Sequence, residues 1–376
     1  MKAKKKLNLI DRLFLWINFL LCAALLLSYL APVIDPEKFW PIAFFGLAYP
    51  FLLAANTIMV IYWMFRKSVW ILLPIICIGI GWKVLNKNIG LRFPHPNSDT
   101  PDINMVRVMT YNVHNFKRYG SKNDISTKHE ILQIIKDEQP DIIGFQEFYT
   151  RRTGQYDMLD SIQTILNCKN YYIEAARSNK DESIGMAIFS KFPIIAHGMI
   201  QLAARSSQNQ CLYVDVKKGE KIFRFYSVHL QSVRFDPDDY RYLNNVSQEG
   251  KPEVGSAKRL GTKLKTAFVK RSEQVFKIKA AAATCPYPYI ISGDFNDTPT
   301  SFAVNEMSKG LKNAFVEKGS GFGRTYNGSV PNYQIDYVMA TPQFDVLGYH
   351  IIEKKLSDHY PVRSDLVLKA PSNLPR

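Results

Sequence analysis

The chain has 376 residues and a formal net charge of +15 at pH 7, length enough for two or three domains. Five scattered cysteines show no CxxC or Cys/His spacing, which excludes a zinc site of ordinary pattern and points to buried free thiols. Lys and Arg exceed Asp and Glu by 8 in residues 1–95 and by 7 beyond them. That excess fits a polyanionic substrate or an anionic membrane surface without showing either.

The first part is membrane-like. After Lys2, Lys4, Lys5 and Lys6, the stretch Leu13 to Ile34 carries no charge and is long enough to span a hydrocarbon core. It is too long for the apolar region of a signal peptide, and no small-x-small cleavage site is clear. Asp35 to Lys38 make a polar turn. A second uncharged run covers Phe39 to Phe65, and a third, shorter one Ser68 to Trp82. Basic residues favour the cytoplasmic side, so three spans place the rest of the chain in a periplasm or its equivalent. If the third run only lies in the interface, the rest stays cytoplasmic, and Lys83, Lys87 and Arg92 favour that alternative. Residues 1–83 are thus expected to be an anchor. Residues 84–103, with Pro94, Pro96 and Pro101, are expected to be an extended linker.

The remainder alternates strands and helices. Strands are expected at Val106–Val113, Asp141–Phe148, Tyr171–Ala175, Gly185–Phe189, Ile194–Ile200, Cys211–Val216 and Ile222–Leu230. Helices are expected at Thr127–Glu138, capped by Ser126, and at Tyr156–Leu166. Residues 231–255 are polar and rich in Asp, Pro and Gly, and read as a long loop. A helix from Ser256 to Ala283 carries Lys258, Arg259, Lys263, Lys265, Lys270 and Arg271, a solvated basic face or a surface for a polyanion. A strand from Tyr287 ends at Asp294, a helix follows from Thr300 to Met307, and two last strands cover Ile335–Ala340 and Ser364–Lys369.

Polar residues are stranded at the ends of these apolar strands: Asn112, Glu147, His229, Asp294, Asn296, Asp336, Asp358 and His359. Asp294 and Asn296, two apart, share a face if the strand continues. Their oxygen donors suit Mg²⁺ and a phosphate better than zinc. Acidic ligands, amides and two histidines make the set that phosphoester hydrolysis needs: a cation, an oriented base and donors for the transition-state charge. No G-x-S-x-G elbow is present for a serine hydrolase.

Six segments carry these residues: Thr110-Tyr111-Asn112-Val113, Pro140-Asp141-Ile142-Ile143-Gly144-Phe145-Gln146-Glu147, Ser227-Val228-His229-Leu230, Gly293-Asp294-Phe295-Asn296, Ile335-Asp336-Tyr337-Val338 and Ser357-Asp358-His359. Their order resembles the endonuclease/exonuclease/phosphatase superfamily over residues 104–370. The resemblance implies an α/β fold, a four-layer αββα sandwich with two mixed β-sheets, here preceded by transmembrane helices. It implies metal ligation by Glu147, Asn112 and Asp358, with Mg²⁺ as the ion and Mn²⁺ as a substitute. Asp294 would orient or deprotonate the attacking water, Asn296 and His229 would bind phosphate, and His359, polarised by Asp336, would contact the scissile group.

The substrate expected from this is a phosphodiester, of nucleic acid or of a phospholipid headgroup. A phosphomonoester is the alternative, and a non-catalytic anchored binding protein is the reading furthest from the motif set. No protein partner is expected.

Overall fold

The computed structural model describes residues 8–92, 104–117, 125–204, 206–250, 253–328 and 331–369. It opens with α1 (Leu9–Ser28), α2 (Pro36–Phe39), α3 (Pro41–Leu47), α4 (Tyr49–Phe65), α5 (Leu72–Ile80) and α6 (Trp82–Asn88). The Asn8 side chain caps α1 by accepting from the Asp11 amide at 2.7 Å. Among the described residues one helix, Leu9–Ser28, is long and apolar enough to cross a membrane by itself, rising about 30 Å over its length.

The second apolar run is broken. Its two helices, Pro41–Leu47 and Tyr49–Phe65, meet at 61°. Pro41 and Pro50 each stand in a first turn, where a missing N–H is harmless and the ring ends the preceding helix. The third run is helical over Val69–Ile80 and bends by 68° into α6.

The helices α1, α4 and α5 pack together around Cys22, Leu25, Tyr49 and Cys77. At one end Arg66 and Tyr62 both donate to Asp11 at 2.8 Å. At the other, the Tyr29 hydroxyl donates to the Cys77 carbonyl at 3.1 Å. The chain therefore runs up, down and up, and leaves this bundle at the end opposite to its start.

The larger part comprises β1 (Ile89–Gly90), β2 (Met105–Asn112), α7 (Ile125–Glu138), β3 (Ile142–Arg151), α8 (Met158–Leu166), β4 (Asn170–Ser178), β5 (Glu182–Ser190), β6 (Ile194–Ile200), β7 (Cys211–Lys218) and β8 (Lys221–His229). It continues with α9 (Pro237–Glu249), α10 (Val254–Ala283), β9 (Tyr289–Asp294), α11 (Phe302–Ser308), β10 (Lys312–Asn313), α12 (Ala314–Lys318), β11 (Gly321–Phe322), β12 (Asp336–Ala340), β13 (Phe344–Ile351) and β14 (Val362–Leu368).

Two six-stranded sheets result, in the orders β13-β14-β2-β3-β5-β4 and β10-β12-β9-β8-β7-β6. Each is mixed: β2 and β3 are parallel, as are β8 and β9, and the other pairs are antiparallel.

Alternation along the strands builds the layers. Val106 and Val108 of β2 and Ile290 of β9 face the space between the sheets. Met109 and Tyr111 turn outward onto α7 and α8, and Ile291 turns outward onto α10 and α11. The layers are helix, sheet, sheet and helix, as expected for the sandwich. At Gly144 the sheets approach so closely that an added Cβ would lie 2.6 Å from the Ser227 hydroxyl.

Two stretches expected to be irregular are ordered. Residues 82–90 form α6 and then β1, which pairs with β11. No proline interrupts them before Pro94, and the proline-rich residues 93–103 lie outside those described. Within 231–255, Pro237–Glu249 is a helix whose Asp236 and Asp239 form a capping box and whose end is Gly250 at φ +66°. That Asp-Pro start and glycine stop are helix signals, masked by the polarity of the stretch.

The sandwich docks on the end of the bundle where α2 and α3 lie. Ser272 donates to Asp35 at 2.7 Å, and the Phe44 and Phe268 rings meet edge-on at 5.4 Å. The Tyr333 hydroxyl donates to the Leu47 carbonyl at 3.1 Å, and Asn88 donates to Thr300 at 3.0 Å.

Candidate active site

The strand ends converge as the topology requires. Asn112 closes β2, while β8 and β9 run parallel with His229 beside Asp294. Antiparallel β12 sets Asp336 opposite Asp294. His359 precedes β14 in a segment that bridges to Tyr326.

Glu147 arrives differently from the sequence expectation. It stands within β3, at a register shift against β5 between Phe145 and Phe148, with φ +53°. A bulge is what re-aims one side chain of a regular strand, and such strain gathers at functional sites.

Asp294 is the hub of the site and is buried. Its carboxylate accepts from the Asn112 amide at 3.1 Å, from the Asn296 side chain at 3.2 Å and from the Asn296 backbone at 2.8 Å. Asn296 reaches it because its own φ is +53°, so a tight turn brings the two together and the strand pleat does not. Nε2 of His359 and Nε2 of His229 each lie 3.6 Å from the same oxygen. On its other side His359 binds Asp336 through Nδ1 at 3.0 Å. The Asp336 and Asp294 carboxylates hold the His359 imidazole well above its ordinary pKa even though burial works to lower it. Burial raises the Asp336 carboxyl, with His359 acting against it.

A second cluster stands at the mouth. Glu147 lies 3.4 Å from the Asn112 amide. His114 Nδ1 sits 3.5 Å from Glu147 and 3.7 Å from Asp358. Burial pushes the Glu147 carboxyl up, but the hydrogen bond from His114 and nearby histidine charge bring it down to about 2. Ser357 fixes the approach of its segment by donating to the Asn112 carbonyl at 2.8 Å.

A family model described as "Endonuclease/Exonuclease/phosphatase family" matches residues 109–359. The chain belongs to the endonuclease/exonuclease/phosphatase family. A second model, a domain of unknown function, matches residues 11–88. No curated protein matches. A solved endonuclease/exonuclease/phosphatase from Beutenbergia cavernae is 20% identical, with TM-score 0.50, over 71% of this chain and 72% of that one. A family protein from Bacteroides thetaiotaomicron is 19% identical, with TM-score 0.50, over 71% and 98%. At such identity these two support the fold alone.

Members of this family are hydrolases of phosphoesters and typically depend on a divalent metal. The residues here fit one. Four carboxylates, Glu147, Asp294, Asp336 and Asp358, converge, and imidazoles of His114, His229 and His359 stand against them. Asp294, Asp336 and His359 are close enough together to share an ion. However, both ring nitrogens of His359 are already directed at carboxylates. The partly exposed carboxylates Glu147 and Asp358, with the Asn112 amide oxygen, are the hard donors that a hydrated Mg²⁺ prefers.

All eight residues singled out in the sequence come together. Seven line one pocket, and Asp336 supports His359 from behind. Sequence reasoning passed over His114, whose signal was its place directly after the segment Thr110–Val113, two residues beyond Asn112. It also misread Arg271. That side chain is not on a solvated face: it is buried and pairs with Asp297 at 3.0 Å, beside Asn296. The Arg271 Nε donates to the Gln231 carbonyl at 2.8 Å.

Proposed function

We propose that the protein is a membrane-anchored, Mg²⁺-dependent phosphodiesterase whose residues 104–370 carry the chemistry. The observation that carries this is the Asp294 hub, with amides on one side and the Asp336–His359 pair on the other. Glu147, Asp358 and Asn112 would hold the cation, which when bound neutralises charge on the phosphate. Asn296, His229 and His359 donate to phosphate oxygens. Asp294 orients the attacking water and takes its proton. Asp336 keeps His359 in one orientation and holds the positive charge on it, so that His359 meets the charge that develops on the phosphate. The nearby Arg271 is committed to Asp297, and a monoanionic diester asks for fewer cationic donors than a dianionic monoester.

The anchor reading rests on α1 and on the up, down and up course of the bundle. Together with the basic residues at the start of the chain and at Arg66-Lys67, that course supports three passes and an extracytoplasmic site. A reporter fused after Arg376 should be active only in the exported compartment.

The test of activity uses the full-length protein in lipid nanodiscs with bis(p-nitrophenyl) phosphate and Mg²⁺. EDTA should abolish turnover, and His359→Ala should lower it by roughly 10²–10⁴-fold. Turnover indifferent to both would refute the proposal.

A further inference from the structure

The Asp294 hub forms the floor of a pocket of about 430 Å³ whose walls are of another character. Leu260, Leu264 and Phe268 stand four residues apart on α10 and form one stripe, about 12 Å long. Leu243 of α9, Phe235 of the preceding segment and Leu47, the last residue of α3, line the same pocket. The three leucines of α9 and α10 are only half-buried, and none of them belongs to a core cluster. They line open space and fill no interior.

Four basic residues of α10 are engaged by other side chains. Arg259 and Lys263 are held by Asp239, at 2.9 and 2.5 Å, and Lys263 also pairs with Asp236 at 2.6 Å. Arg271 is held by Asp297, and Lys265 lies over the Trp40 ring. A nucleic-acid backbone needs a row of available cations. Here Arg259, Lys263, Lys265 and Arg271 are already paired or packed, Arg234 lines the pocket without a row of cations beside it, and most of the wall is aliphatic or aromatic.

The bundle supplies the direction. Leu47 and Phe44 belong to α3, and Phe44 packs on Phe268 of the stripe. Phe39 and Trp40 beside them are exposed, as aromatic residues at a membrane interface are. The groove thus runs from the phosphate site toward the apolar segment of the same chain.

We infer that the substrate is a membrane lipid phosphate ester, with its phosphate at Asp294 and His359 and a hydrocarbon chain along the Leu260–Phe268 stripe. The inference rests on the phosphodiesterase reading and names its substrate class. The chain's burial adds binding in proportion to the methylenes covered, up to about fourfold in affinity for each.

The test is a homologous series, the methyl, butyl and octyl esters of p-nitrophenyl phosphate, given below their aggregation concentrations to the full-length protein in nanodiscs. For the wild type, kcat/KM should rise steeply with chain length. Leu264→Asn should flatten that rise at least tenfold at the octyl ester and leave the methyl ester within twofold. Leu260→Ala should act in the same direction by a smaller factor. Because partition into the nanodisc is common to all the proteins, the difference in slope reports the groove.

A slope unchanged in both variants, or equal losses on methyl and octyl esters, would overturn the inference. So would nicking of plasmid DNA with a kcat/KM above that of the octyl ester. A flat series with active methyl ester would sink the lipid inference alone. Inertness toward every ester would sink the phosphodiesterase reading as well.

Discussion

Replacing Arg271 by Met tests how the site is held together. Arg271 and Asp297 are both buried and lie 3.0 Å apart, and the guanidinium also ties down the Gln231 carbonyl. Removing one partner of a buried pair strands the other, at a cost of about 3–5 kcal/mol. Burial already raises the Asp297 carboxyl, and Arg271 is what opposes that rise. Without Arg271 the folded-state pKa moves further above the unfolded one, so the native state binds the extra proton. Stability must then fall as pH rises from the unfolded carboxylate range toward neutrality.

Denaturant unfolding of Arg271→Met at pH 5 and pH 7 should show the larger loss at pH 7. The double variant Arg271→Met with Asp297→Asn should recover most of it. A single-variant loss below about 1 kcal/mol, or a loss larger at pH 5, would refute the reasoning.

Three further outcomes follow from the same geometry. Asp336→Asn removes the carboxylate that orients His359 and should lower kcat by roughly 10²-fold or more, read by steady-state kinetics at a temperature where a melting curve shows the variant folded. Glu147→Gln should raise the Mg²⁺ concentration needed for half-maximal rate by about tenfold or more, measured by metal titration. Gly144→Val places atoms where Ser227 already stands and should destabilise by about 1–3 kcal/mol, measured by denaturant unfolding.

The strands were legible because their apolar periods are short and bounded, and so was the set of polar residues at their ends. What sequence could not supply was the means of convergence. Glu147 looked like a strand terminus but stands at a bulge inside a longer strand. Asp294 and Asn296 looked like neighbours on a pleat but meet through a left-handed turn. Both depend on backbone angles that tertiary contacts impose. The edge strand β13 escaped because Leu347 and Gly348, at a register shift against β14, break its apolar alternation. The basic stretch of α10 was misjudged for a related reason. Composition records the charges of Arg259, Lys263 and Arg271, while their acidic partners Asp236, Asp239 and Asp297 lie on other segments.

The pairing of β1 with β11 and the packing of α3 on α10 change what the amino-terminal region is. Removing the chain through β1 would strip β11 of its partner strand, uncover Phe268 and Ser272, and take Leu47 from the pocket lining. Two pieces that meet in this way behave as subunits joined by a covalent link. The bundle supplies part of the site's wall, as one protomer does for another in an obligate dimer. A soluble fragment should therefore be judged as an assembly with one member removed.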